Sequence, residues 1–193
     1  IKMHCLYDHS GALPSFLTVT DGKRHEVTEV KNAGFPLSPD SIVSVDKAYI
    51  DYNWLYSLNT KKIWFVTRAK SNIDYAVAGQ HPVSGKGIIS DQRISLEGQR
   101  TREKYPLDLR LIRFYDDEKK KTLVFLTNNF RLAATTIARI YKSRWQIELF
   151  FKWIKQNLKI KSFLGTSRNA VMTQIWVAMC YYLLLTYIKY QTR

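Results

Sequence analysis

Residues 133–161, AATTIARIYKSRWQIELFFKWIKQNLKIK, constrain the fold most, because they read as one long helix carrying a single carboxylate among cations. At about 100° per residue, Tyr141, Arg144, Glu148, Lys152, Lys155 and Lys159 fall within one narrow arc. Ile140, Ile147, Phe150, Phe151, Ile154 and Leu158 make an adjacent apolar stripe, and Trp145, Leu149 and Trp153 recur every fourth residue on a further face. Such a helix is expected to be wedged between neighbours along most of its length.

Glu148, with Arg144 one turn before it and Lys152 one turn after, has a plain reading as exposed ion pairs worth ~0.2–0.5 kcal/mol each. The charge of the chain favours a second reading. There are 30 Lys and Arg against 16 Asp and Glu, a net charge of +14, which asks for an anionic partner such as nucleic acid or an anionic membrane surface.

The spacing Tyr141, two residues, Arg144, three residues, Glu148, six residues, Lys155 resembles the signature of DDE transposases from bacterial insertion sequences, in the group called insertion sequence family four. The resemblance extends through SFLGTSRNAVMTQIWVA at 162–178 and back to VDKAYID at 45–51, so it covers nearly the whole chain. It implies an α/β, RNase H-like fold: a mixed sheet flanked by helices and interrupted by a β-rich insertion. The corresponding divisions are a first part of the core at 1–70, the insertion at 71–129, and a second part at 130–193 with the glutamate helix and a C-terminal helix.

The resemblance also implies cut-and-paste DNA transposition, with two Mg²⁺ or Mn²⁺ ions held by three carboxylates. Asp46 and Glu148 match the second and third of these, as catalytic and metal-binding residues. Tyr141, Arg144, Lys152, Lys155 and Lys159 are implied on the DNA, and a homodimer on paired transposon ends. The family's first aspartate lies on a strand preceding the region that matches IKMHCLY, so the chain is expected to be a truncated catalytic domain, inactive alone. A non-catalytic DNA-binding module, a decayed transposase fragment, and a basic protein for a membrane or acidic partner are the competing readings.

The residues themselves bound the rest. A chain of 193 residues, 46% hydrophobic, buries a sizeable core and reads as one domain, or one with a large insertion. Cys5 and Cys180 are too few for a disulfide framework or zinc site, and no apolar leader opens the chain, so a cytoplasmic protein is expected. Residues 171–188 approach the length of a bilayer span. Thr173, Gln174 and Thr186 interrupt them, and a buried C-terminal helix is the better reading.

In chain order, IKMHCLY alternates as a half-buried strand, and a turn at 8–11 joins it to a second strand at 16–20. His4, His9 and His25 have no ligand spacing, although His25, in TDGKRHE, lies near the presumed site. A short helix is expected at 25–31. SIVSV then suits a buried parallel strand, which places Asp46 at a strand's C-terminal end, where open α/β sheets build their sites. Asp46 reads equally well as the cap of the next turn, while Asp51 precedes helical spacing at Tyr52, Trp54, Leu55 and Leu58. Further strands are expected at 62–67, 88–96, 107–115 and 122–127, the last two joined by a polar hairpin loop at 116–119. Gly85-Lys86-Gly87 lacks the context of a phosphate loop.

Overall fold

A computed structural model describes residues 2–11, 13–20, 35–157, 165 and 167–192. The expected helix at 25–31, with His25, and Leu158, Lys159 and Lys161 lie outside the described residues. The chain divides into two units, Ile1–His4 with Thr18–Arg144, and Cys5–Leu17 with Trp145–Arg193.

The first unit is built on a six-stranded sheet. Its strands are β3 (Ile42–Ser44), β4 (Trp64–Arg68), β5 (Tyr75–Gln80), β6 (Ile88–Leu96), β7 (Leu109–Asp116) and β8 (Lys121–Thr127), in the order β3-β4-β8-β7-β6-β5. The pair β3 and β4 is parallel, with Ser44 beside Val66, and every other pair is antiparallel. SIVSV forms the expected parallel strand but not a buried one: among the described strands β3 is the end strand of this sheet, with Ile42 exposed and Val43 and Ser44 half-buried. The strands of residues 71–129 continue the same sheet, because β8 pairs directly with β4.

Alternation along these strands supplies two apolar faces. Phe65, Leu111 and Leu126 meet α1 (Tyr52–Thr60) through Trp54, Leu55 and Leu58. Val66, Ile112 and Phe125 meet α3 (Ala134–Ser143) through Ile137, Ala138 and Tyr141. An irregularity between Ile88 and Ser90 shifts the register of β6, so Ile88 joins the α3 face while Ile94 and Leu96 join the α1 face. A mixed sheet flanked by helices in this way is of the expected RNase H-like α/β class. Asp51 caps α1 by accepting from the Trp54 N–H at 2.9 Å. A short helix, α2 (Gln99–Lys104), leads into Tyr105, whose buried ring meets Tyr56 and Phe65 edge-on.

The turn from β8 into α3 is held by side-chain amides. Asn128 accepts from the Phe65 N–H at 2.8 Å and donates to Ile63 O at 3.0 Å and Asn59 Oδ1 at 2.9 Å. Asn129 Oδ1 accepts from the N–H groups of Arg131 and Leu132, both at 2.9 Å. These contacts hold the turn that leads to Ala133, the N-cap of α3, which itself makes no side-chain cap bond.

The long helix expected at 133–161 is interrupted at Arg144. Ser143 Oγ donates to Ile140 O at 2.7 Å, the carbonyl that the Arg144 N–H takes in an uninterrupted α-helix. The Arg144 N–H bonds instead to Tyr141 O at 3.1 Å, a tighter turn that ends α3.

The second unit contains α4 (Trp145–Asn157), α5 (Arg168–Gln191) and most of a separate two-stranded sheet formed by β1 (Lys2–Asp8) and β2 (Leu13–Thr20). Phe150 centres its aromatic cluster, 5.5 Å from Tyr7 and 4.9 Å from Tyr182 between ring centroids. Trp153 lies 5.1 Å from Tyr182. Burial pushes the Cys5 thiol up to about 12.

Two burial expectations change here. Trp145 and Leu149 are exposed rather than packed, at 52% and 47%, because α4 buries its Phe150 and Ile154 side instead. Helix α5 buries Val171, Ile175, Ala178 and Met179 but leaves Trp176, Tyr181, Leu184, Tyr187 and Ile188 exposed. By length and composition it is the one helix among the described residues apolar enough to cross a membrane.

Candidate active site

In the first unit, β3 and β4 run side by side, Ser44 ends β3 opposite Val66 while β4 continues to Arg68, and Asp46 follows the end of β3. The Val45 N–H still bonds to Val66 O at 3.0 Å, so the residue before Asp46 is fixed to the sheet. Asp46 then caps the 3₁₀ turn Lys47–Tyr49, its Oδ1 accepting from the Ala48 N–H at 3.2 Å. Asp46 therefore follows a strand end and also caps the next turn: one oxygen caps, and the other faces a cation. That cation is Arg144, whose Nη2 lies 3.7 Å from Asp46 Oδ2, with the two side chains 19% and 40% exposed.

Arg144 is carried by Tyr141. Its guanidinium carbon sits 5.6 Å from the centre of the Tyr141 ring, and that ring packs 5.1 Å from Phe125 on the sheet. Tyr141 is only 7% exposed. Burial pushes its phenol above the ordinary tyrosine range, against the opposing charge of Arg144, while Asp46 pushes the same way as burial.

Arg68 joins this group without having been visible in the sequence. It ends β4, and its charge also acts on the Tyr141 phenol. Its Nε has no hydrogen-bond partner among the described residues. The signal was a cation closing the apolar run IWFVT, but only the parallel register of β3 and β4 turns that into proximity.

In the second unit, Glu148 lies half-buried in the first turn of α4, where the helix dipole favours a carboxylate. Lys152 and Lys155 follow at one and two turns and are both exposed. Phe150 and Ile154, buried at 3% and 1%, fix the rotation of α4 that turns these two lysines outward. Among the described residues, no three His, Cys, Asp or Glu side chains gather. Asp46 Oδ2 is a hard, partly exposed oxygen, which suits one ligand position of a Mg²⁺-like ion whose other positions are water and phosphate.

A family model described as "Transposase DDE domain" matches residues 1–184. The chain belongs to this family. A Sinorhizobium fredii protein assigned as a transposase, y4zB, is 36% identical over 190 residues, covering 96% of this chain and 52% of that protein. The transposase assigned to insertion sequence element IS5377 of Geobacillus stearothermophilus is 28% identical, over 100% of this chain and 50% of that protein. One assigned to element IS4SA of Synechocystis is 26% identical, over 96% and 52%. The chain thus spans about half the length of the curated relatives it matches. Within this DDE domain, Asp46, Tyr141, Arg144 and Arg68 form one group in the first unit, and Glu148, Lys152 and Lys155 lie on one helix in the second.

Proposed function

We propose that this chain is the catalytic part of a DNA transposase that excises and inserts its element by metal-dependent phosphodiester hydrolysis and strand transfer at transposon ends. It is proposed to carry the signature of insertion sequence family four, with 71–129 as the insertion between two parts of the core. The observation that supports this most is Asp46. The position matched to a family carboxylate follows the end of the parallel strand β3, with the signature's Arg144 against its free oxygen.

In this reading Asp46 and Glu148 are both metal-binding carboxylates. They would hold the metal, two ions in the complete enzyme, which would supply activation of the attacking water or 3′-hydroxyl and stabilisation of the leaving oxygen of an in-line displacement. The chain's own work is positional. Arg144, Lys152, Lys155 and Lys159 hold backbone phosphates, and Tyr141 serves them by carrying Arg144 from beneath. Asp46 stays in place because the Ala48 N–H anchors it. The family's remaining carboxylate is expected on an upstream strand, so these 193 residues alone bind DNA and leave it uncut. Its partners are DNA at transposon ends and targets and a second copy of the protein, in the cytoplasm with the nucleoid.

The experiment is cleavage of transposon-end DNA by a longer protein that supplies the upstream strand, with Mg²⁺ or Mn²⁺ present. Asp46→Asn or Glu148→Gln should abolish nicking and joining while DNA binding persists. Cleavage that survives both substitutions would sink the assignment. A second reading, a non-catalytic DNA-binding module or decayed fragment, is favoured by the lack of a three-ligand cluster among the described residues. It requires DNA binding indifferent to metal and no cleavage from the longer protein.

A further inference from the structure

We propose that Arg144 is an exchangeable counter-ion for Asp46: it neutralises the carboxylate in the DNA-free protein and leaves it for a substrate phosphate, so that cation binding and phosphate binding become coupled. The inference rests on the transposase reading of this site and adds to it how the two charges are regulated.

The first unit contains its own control, because it holds a second arginine–aspartate pair of opposite character. Arg110 grips Asp91 through two hydrogen bonds, Nε to Oδ1 at 2.8 Å and Nη2 to Oδ2 at 2.6 Å, and Nη1 is tied to the carbonyls of Asn129 and Leu132. Both side chains are almost wholly buried. That pair has no freedom to exchange. The Arg144 contact with Asp46 is a single approach of 3.7 Å, longer than a charge-assisted hydrogen bond of ~2.7–2.9 Å, and water reaches both partners. Pairs of this kind are worth little, which is what an exchangeable contact requires.

The surroundings also suit exchange. Asp46 Oδ1 is held by the Ala48 N–H, so the carboxylate keeps its place when the guanidinium moves. Arg144 lies 5.6 Å from the centre of the Tyr141 ring and also meets its phenol, contacts weaker than those a phosphate offers a guanidinium. Two cations at Asp46 Oδ2 repel one another. A divalent ion arriving there is opposed by Arg144 unless a phosphate draws the guanidinium aside, and a phosphate then meets positive charge on both sides. Linkage makes the effect reciprocal: phosphate tightens the ion, and the ion tightens phosphate by the same factor.

The test reads Mn²⁺ binding directly, by the electron paramagnetic resonance signal of free Mn²⁺, on the 193-residue chain without DNA at low ionic strength. Arg144→Gln should tighten Mn²⁺ by about two- to fivefold, the range expected of a partly exposed ion pair, whereas Arg144→Lys should stay near the native value. In the native chain Mn²⁺ should tighten a short phosphodiester oligonucleotide by a similar factor, and Arg144→Gln should lose that coupling. Circular dichroism confirms that each variant is folded, and Arg144→Met carries both measurements if Arg144→Gln does not fold. Unchanged or weakened Mn²⁺ affinity in folded Arg144→Gln, with Asp46→Asn still abolishing binding, overturns the exchange and leaves the transposase reading standing. Mn²⁺ binding that survives Asp46→Asn, or none at millimolar Mn²⁺ in the native chain, overturns the site itself.

Discussion

Arg110 and Asp91 form a bidentate ion pair, 2.8 and 2.6 Å, buried where the sheet meets the turn that leads into α3. Removing one partner strands a charge in the interior, which costs ~3–5 kcal/mol. Arg110→Ala should therefore lower the urea midpoint of unfolding drastically, and by more than a paired replacement of Arg110 and Asp91 with apolar residues of similar volume. A single substitution no worse than the pair would show that the charges are not isolated from water.

Asn128 ties three separated chain segments together through Phe65, Ile63 and Asn59. Asn128→Ala leaves the buried Phe65 N–H and Ile63 carbonyl unpaired, and the expected cost is ~1–3 kcal/mol. Asn128→Asp, which buries an acceptor-only carboxylate against the Ile63 and Asn59 oxygens, should cost more than Asn128→Ala. Thermal unfolding of both variants decides this.

Acid stability should depend on Lys142, which reaches Asp116 at 3.5 Å and Glu118 at 3.3 Å. Burial pushes the Asp116 carboxyl up, but the Lys119 N–H and the Lys142 ammonium outweigh it and hold the group below its ordinary range. A depressed folded pKa stabilises above the unfolded pKa, about 3.9, and the contribution is lost as pH falls through the folded value. Lys142 is lowered by burial but raised further by Glu118 and Asp116, so its contribution persists below about pH 10.4 and fades above it. Urea unfolding of Lys142→Met should show a smaller loss of stability than the native chain below about pH 4, and an equal acid slope would contradict this.

Lys152 and Lys155, exposed on α4, are expected to meet phosphates. Replacing either with Ala should weaken binding to DNA of any sequence and reduce the slope of log affinity against log salt by about one unit per lost contact. Full retention of that slope would return these lysines to the status of solvated surface charge.

The parts of this architecture that the sequence exposes are those in which one physical signal acts alone. The strand Ile88–Leu96 has the limits its alternation gives it, between Gly87 and Gly98. The strand Tyr75–Gln80 is hidden because YAVAGQ is small and unpatterned, as suits an edge that packs little. The helix Gln99–Lys104 is hidden because QRTREK has no apolar residue from which a period could be read. The break at Arg144 comes from one hydroxyl, Ser143 Oγ, competing for one carbonyl, among residues that otherwise favour helix. Asp46 and the signature residues are legible as chemistry. Arg68 enters their group only through the pairing of two strands.

Helix α5 gives the protein a colloidal problem that its charge partly solves. Trp176, Tyr181, Leu184 and Tyr187 are open to solvent, and surfaces of this kind attract one another, while a net charge of +14 holds the molecules apart. That repulsion has a range of ~30 Å at 0.01 M salt and only ~3 Å at 1 M. The protein should stay dispersed in dilute buffer and cloud as salt is added, the reverse of ordinary salting-in, and a polyanion that cancels its charge should act as salt does.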